Sequence, residues 1–183
     1  DCQMIIIDEA HAFEKYAVMA FSDEITWFSL YHLLNWSIIR KSVPDKLIKD
    51  IVNAGIQAPS SCNQQMYYFI LVDDKTKSEI FKKANFKLIN RIPNPLFVIV
   101  DKRFGNERFA NIQGAAASIQ NMLLYSYSLG ISSCWMANIG DKAVVKNILN
   151  ISNNYHILGC VGFGYSDEKP LIPIKRNPGE LIF

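Results

Sequence analysis

From Ala110 to Leu129 the residues Ile112, Ala115, Ala116, Ile119, Met122 and Leu123 recur at helical spacing, and Gly130 stands where a helix stop belongs. The Gly114-Ala115-Ala116-Ala117 run of this helix offers a small-residue surface on which another helix, or a second subunit, can approach closely. The remaining segments alternate between helical and strand-like patterns, which predicts a mixed α and β domain. Pro44-Asp45 opens a helix carried by Leu47, Ile48, Ile51, Val52 and Ile56 and ending near Ala58. Tyr67 to Val72, closed by Asp73-Asp74, reads as a strand, and a short charged helix from Lys75 to Ala84 follows it. Leu96 to Val100, framed by Pro95 and Asp101, reads as a buried strand. Ser132 to Asn138 and Ile157 to Tyr165 read as further strands around a helix from Asp141 to Leu149. The tail from Lys169 to Phe183 carries three prolines and an apolar end, and is expected to run extended over another surface.

Length and charge narrow the function classes. The 183 residues suit one domain of about 150 residues with room for an arm. Half the residues are apolar and a fifth charged, which argues against a mainly disordered chain. A net charge of +2 is too small to steer the protein onto nucleic acid or an acidic membrane. Apolar stretches such as Leu96 to Val100 fall far short of the ~20 residues a membrane helix needs. The sequence opens with Asp1 and early acids rather than a secretory signal, so a cytoplasmic protein is expected. Cys2, Cys62, Cys134 and Cys160 lie far apart with no C-x-x-C pair, which suits reduced thiols and neither a zinc knuckle nor a dithiol motif. Asn35-Trp36-Ser37 and Asn150-Ile151-Ser152 match the glycosylation sequon, a pattern common by chance.

Several chemistries can be set aside. Ile5-Ile6-Ile7-Asp8-Glu9-Ala10-His11 looks like a helicase strand and DEAH box, yet no Gly-Lys-Ser or Gly-Lys-Thr phosphate loop accompanies it. The simpler reading is a hydrophobic strand or arm followed by a polar turn. His11, His32 and His156 share no i, i+4 spacing, so no metal site is expected. There is no G-x-S-x-G elbow, and no histidine can be placed beside Cys62 or Cys134 to activate a thiol. What stands out is Ala58-Pro59-Ser60-Ser61-Cys62-Asn63-Gln64-Gln65, with two hydroxyls and three amides between a helix and a strand. It is either an ordinary loop with capping serines or a site for a flat ligand whose edge carries carbonyls and ring nitrogens.

The helix from Pro44, this loop and the strand from Tyr67 resemble the nitroreductase family of FMN-dependent oxidoreductases, whose hallmark is A-P-S-S-x-N-x-Q-P-W before a strand. Gln113 to Leu124, followed by Leu129-Gly130-Ile131-Ser132-Ser133-Cys134-Trp135, is similar to the family's central helix and its G-x-x-S-C-W strand. Ile157 to Gly164 with Pro173-Ile174-Lys175-Arg176-Asn177-Pro178 looks like its last core strand and basic tail. The matches run from about Pro44 to Arg176 in the family's order. Two departures stand out. The family's early R-S-x-R stretch is represented only by Arg40 in Asn35 to Lys41, and the motif's P-W is Met66-Tyr67.

The resemblance implies an α+β nitroreductase-like FMN-binding fold: a central, mostly antiparallel sheet flanked by helices, in an intertwined homodimer whose two FMN sites are each made by both subunits. It places residues 35–183 in that domain and leaves 1–34 as an N-terminal arm or extension. Carried over by residue, Pro59, Ser60, Ser61 and Asn63 lie along the isoalloxazine and ribityl chain. Cys134, Trp135 and Met136 line the ring's other side, with backbone groups facing it. Arg176, Lys175 and Arg40 are the phosphate-binding candidates, a role that suits a guanidinium fork. The implied reaction takes a hydride from NADH or NADPH through FMN to an electron-poor small molecule, nitroaromatic or quinone-like, in two half-reactions. It requires no titrating side chain, so no catalytic residue is named. The alternative is a non-catalytic flavin- or partner-binding protein that keeps the fold. The same fold also hosts dehalogenases, ring oxidases acting on peptide products and flavin-degrading enzymes, among which the acceptor lid would discriminate.

Overall fold

A computed structural model describes residues 5–7, 41–103, 108–166 and 176–182. The described strands are β1 (Ile5–Ile7), β2 (Tyr67–Leu71), β3 (Asn94–Asp101), β4 (Ser132–Met136) and β5 (Tyr155–Gly164). The described helices are α1 (Asp45–Ile56), α2 (Asp74–Lys83), α3 (Arg108–Ser128) and α4 (Lys142–Ile148). The sheet order is β1-β4-β5-β3-β2. The pairs β4–β5, β5–β3 and β3–β2 are antiparallel, while β1 runs parallel to β4 with Ile5 opposite Cys134. This is the mostly antiparallel α+β sheet that the sequence resemblance implies.

β3 explains why a continuous apolar run was legible as a strand. Leu96, Val98 and Val100 pack in one core with α1 and α3 residues, whereas Phe97 and Ile99 pack in a second core with residues of α2 and α4. Successive side chains point to opposite faces, so a strand covered on both sides reads as unbroken hydrophobicity. The strand nonetheless starts earlier than its apolar run, at Asn94, with Pro95 opposite Gly162. Asn94 also accepts a hydrogen bond from Val43 N–H at 2.7 Å through its side chain, which ties the entry to α1 onto the sheet.

Capping sets the helix starts. Asp73 accepts from Thr76 N–H to open α2, and Asp141 accepts from Ala143 and Val144 N–H to open α4. The close approach of α1 to α3 rests on Gly55 of α1 rather than on the glycine-alanine run of α3. A Cβ at Gly55 would stand 2.7 Å from Met122 Cγ and 3.0 Å from Ser118 Oγ. Within the α3 run, Ala115 is buried in the core, Ala116 and Ala117 are half-buried, and Gly114 faces the loop that follows α1.

Candidate functional site

The loop from Ala58 to Met66 leaves α1 through hydrogen bonds from Gln57 N–H to Ala54 and from Ala58 N–H to Gly55. It then makes a tight turn at Ser61–Asn63 with Cys62, Asn63 and Gln65 in the left-handed backbone region, at φ 49°, 55° and 50°. For residues other than glycine this conformation costs roughly 1–3 kcal/mol and persists only where the surroundings enforce it. Here they do. Ser60 O accepts from Asn63 N–H, and Ser60 Oγ accepts from Gln65 N–H at 3.0 Å. Asn63 Oδ1 accepts from Gln65 Nε2 at 3.0 Å, and Met66 O accepts from Asp101 N–H at 3.0 Å. Beneath the loop lies α3, where a Cβ at Gly114 would come within 3.3 Å of Ser60 Cβ and 3.5 Å of Pro59 O.

These bonds decide what the loop offers. Ser60 Oγ and Asn63 Oδ1 are already used as acceptors, so the Ser60 O–H and the Asn63 NH₂ remain as donors. Pro59, Ser61, Cys62, Asn63, Gln64 and Gln65 are exposed, Ser60 partly so. An array of donors on a shaped loop suits a ligand edge made of acceptors.

β4 divides its three candidate residues between the two sheet faces. Cys134 and Met136 are buried in the core under α2 and α4, and their main chain runs between β1 and β5. Trp135 points to the α1 and α3 face, half-buried, and its Nε1 is buried without a hydrogen-bond partner among the described residues. Gly159 keeps room for it: a Cβ there would lie 2.9 Å from that nitrogen and 2.6 Å from Met136 O. On the same face the hydroxyls of Tyr67 and Ser118 are buried beside each other without a well-formed hydrogen bond, and burial raises the Tyr67 phenol above its ordinary pKa.

Arg176 is exposed, and its described polar contacts lie in its own turn. Its Nε is 3.5 Å from Glu180 Oε2 and its Nη2 3.5 Å from Glu180 O, with Asn177 capping the turn at Pro178–Glu180. Arg40 and Lys175 lie outside the described residues, as do Cys2, His11, His32, the first sequon and the acids of the DEAH-like stretch. His156 lines a small hollow with Val100, Asp101, Lys102, Asn111 and Ile112.

Three contributors were named in the sequence without a role at the site. Gln65 ties Ser60 and Asn63, Gly114 supports the loop, and Asp101 anchors its far end. Asp101 is 1 % exposed and pairs with Arg103 (Nη2 to Oδ2 2.6 Å, Nε to Oδ1 3.1 Å), which lowers its pKa from the ordinary carboxylate value. Arg103 in turn lies 5.7 Å above the Tyr155 ring, which meets Tyr68 edge-on at 5.5 Å. An Asp-x-Arg after a buried strand was the available signal.

This fold and loop define a class, and comparison with known proteins identifies it. The Nitroreductase family model matches residues 99–165. A protein of Archaeoglobus fulgidus named "Putative NADH dehydrogenase/NAD(P)H nitroreductase" is 30% identical over 139 residues, covering 70% of this chain and 78% of its own. Among solved structures, an FMN-dependent nitroreductase of Clostridium difficile is 26% identical at TM-score 0.60, covering 78% of this chain and 88% of its own. The NADPH:FMN oxidoreductase of Vibrio harveyi, complexed with NAD+, shares the fold at TM-score 0.71 with 20% identity, covering 80% of this chain and 72% of its own. The chain belongs to the nitroreductase family.

Proposed function

We propose that the protein is an FMN-dependent oxidoreductase using NADH or NADPH to reduce an electron-poor small molecule, nitroaromatic or quinone-like. The observation that carries this reading is the donor-presenting loop seated on Gly114, which joins two family-like motifs in one place. The donor set fits FMN, whose ring edge carries carbonyls and ring nitrogens. Ser60 and Asn63 hold the ring edge and ribityl chain, with Pro59 and Ser61 shaping the wall. Trp135, with Cys134 and Met136, lines the opposite side, and its indole N–H is a donor without a partner among the described residues. Arg176, Lys175 and Arg40 hold the phosphate, each contact worth about 1.5–3 kcal/mol. When bound, FMN supplies the two-electron relay between nicotinamide and acceptor. The chain's part is to bind, orient and exclude water, so no residue is assigned proton transfer.

The functional unit in this reading is a homodimer. Lys41, next to the Arg40 candidate, bridges to Tyr165 at the Asn94 end of β3, while the loop ends against Asp101 at the other. Seven residue steps at about 3.3 Å put these ends on the order of 20 Å apart. In this reading the loop and the Arg40 stretch of one site come from two copies. The outer face of α3 supports this. No charged residue occurs from Phe109 to Ser128, and Phe109, Leu124 and Tyr127 are exposed with Ala116 and Gln120 between them. Residues 35–183 form the FMN-binding domain, with 1–34 an arm or extension. A cytoplasmic location accords with this chemistry, and no helix among the described residues is long and apolar enough to cross a membrane.

One observation favours a second reading, a flavin- or partner-binding protein without turnover: Arg176 is engaged by Glu180 in its own turn. Initial rates with NADH and a soluble quinone separate the two. Parallel double-reciprocal lines are expected for two half-reactions. Intersecting lines would overturn the two-step scheme, and absence of turnover would favour the binding protein.

A further inference from the structure

We propose that Arg103 is a specificity-determining residue whose guanidinium receives the adenine base of the dinucleotide that reduces the flavin; the inference rests on the FMN and NAD(P)H reading above. The end of β3 holds this arginine firmly although its side chain is 47 % exposed. Asp101, 1 % exposed, accepts from Arg103 N–H at 2.9 Å, from Nε at 3.1 Å and from Nη2 at 2.6 Å. Between them Lys102 N–H bonds to Asn154 O at 2.9 Å, which ties this stretch to the turn before β5. The guanidinium carbon lies 5.7 Å from the centre of the Tyr155 ring, and the exposed Tyr68 meets that ring edge-on at 5.5 Å. A side chain fixed in this way loses little further freedom when a ligand lies on it.

Chemistry and place both select the ligand. Asp101 offsets the arginine's charge, so a phosphate gains little there, whereas the flat guanidinium keeps its capacity to stack on an aromatic system. The Asp101 N–H bonds to Met66 O at the end of the FMN loop, and Met66 is three residues beyond Asn63, a reach of at most about 11 Å. A nicotinamide dinucleotide carries two ring systems joined through a diphosphate. With the nicotinamide on the flavin, its second base extends away from the ring edge, and Arg103 offers a planar surface for it at the loop's end.

The test compares NADH with reduced nicotinamide mononucleotide, which lacks the adenylate half, as electron donors to the FMN-loaded full chain with a soluble quinone as saturating acceptor. Circular dichroism and FMN titration confirm that each variant is folded and loaded. Arg103→Ala is expected to raise KM for NADH about three- to tenfold with kcat held within about twofold, the mark of a contact made equally in ground and transition states. KM for the mononucleotide should move less than about twofold. Arg103→Lys keeps a charge beside Asp101 but loses the plane, so it should show the same split between donors. It also serves if Arg103→Ala, which leaves a buried carboxylate unpaired, does not fold. Equal rises with both donors, a wild-type KM for NADH in Arg103→Lys, or equal KM values for the two donors in the wild type would overturn the adenine contact and leave the FMN reading standing. A wild type reduced by neither donor would overturn that reading and the inference with it.

Discussion

Gly114 lies directly beneath Ser60, so close that a Cβ at Gly114 would stand 3.3 Å from the Cβ of Ser60. This contact couples the middle of the long helix α3 to the polar loop after α1. A single methyl group there has opposite effects on folding and on binding. Gly114→Ala should leave stability unchanged or raise it by up to about 1 kcal/mol, because alanine is the better helix former. The same change pushes Ser60 outward by a few tenths of an ångström, and FMN affinity should fall roughly three- to tenfold. Thermal melts and flavin titration on one preparation check both signs.

The other end of the loop bonds through Met66 O to Asp101 N–H, and the Asp101 carboxylate pairs with Arg103. Because Arg103 holds the Asp101 carboxyl below its unfolded pKa of 3.8, its contribution is fully present above that value. It is lost as pH falls through the depressed folded value. Asp101→Asn should therefore melt below the wild type at neutral pH, and the gap should narrow as pH falls below 3.8. A melting series across pH measures it, and a gap that widens in acid would contradict the assignment.

Thiol reactivity separates the cysteines by their place in the fold. Cys62 is exposed in the loop, whereas Cys134 and Cys160 are buried, and burial pushes the Cys160 thiol far up. Iodoacetamide should label Cys62 in the native protein and spare Cys134 and Cys160 until the chain is unfolded. Peptide mass spectrometry reads the three sites independently.

The uncharged face of α3 bears on assembly. Leu124 is 52 % exposed in the single chain. Light scattering at micromolar concentration should return a dimer for the wild type and a monomer for Leu124→Glu, with FMN affinity reduced in the monomer. A wild-type monomer that still binds FMN would contradict the shared site.

What was legible in the sequence depended on whether the signal was local. The apolar run in β3 and the heptad-like spacing in α3 are local, and both elements stand within a few residues of where the sequence puts them. Pro95 was misleading as a boundary because its missing N–H is tolerated opposite Gly162, a partner far along the chain. The polar loop was legible as composition. Its polarity was not, since which atoms of Ser60 and Asn63 remain as donors depends on the backbone turn at Gln65. The small residues of α3 marked a close approach, but Gly114 meets a loop, and the helix contact is made by Gly55. The split of Cys134 and Met136 from Trp135 follows from strand alternation, and only the packed layers show which face holds which core.

FMN binding and its reduction by NADH are read together in the absorbance spectrum of the purified protein, taken after addition of FMN and desalting, then again with NADH in the absence of air. Flavin bands are expected to be retained through desalting and to bleach when NADH is added. Protein that emerges without flavin bands would contradict this, showing a nitroreductase fold that does not hold the cofactor.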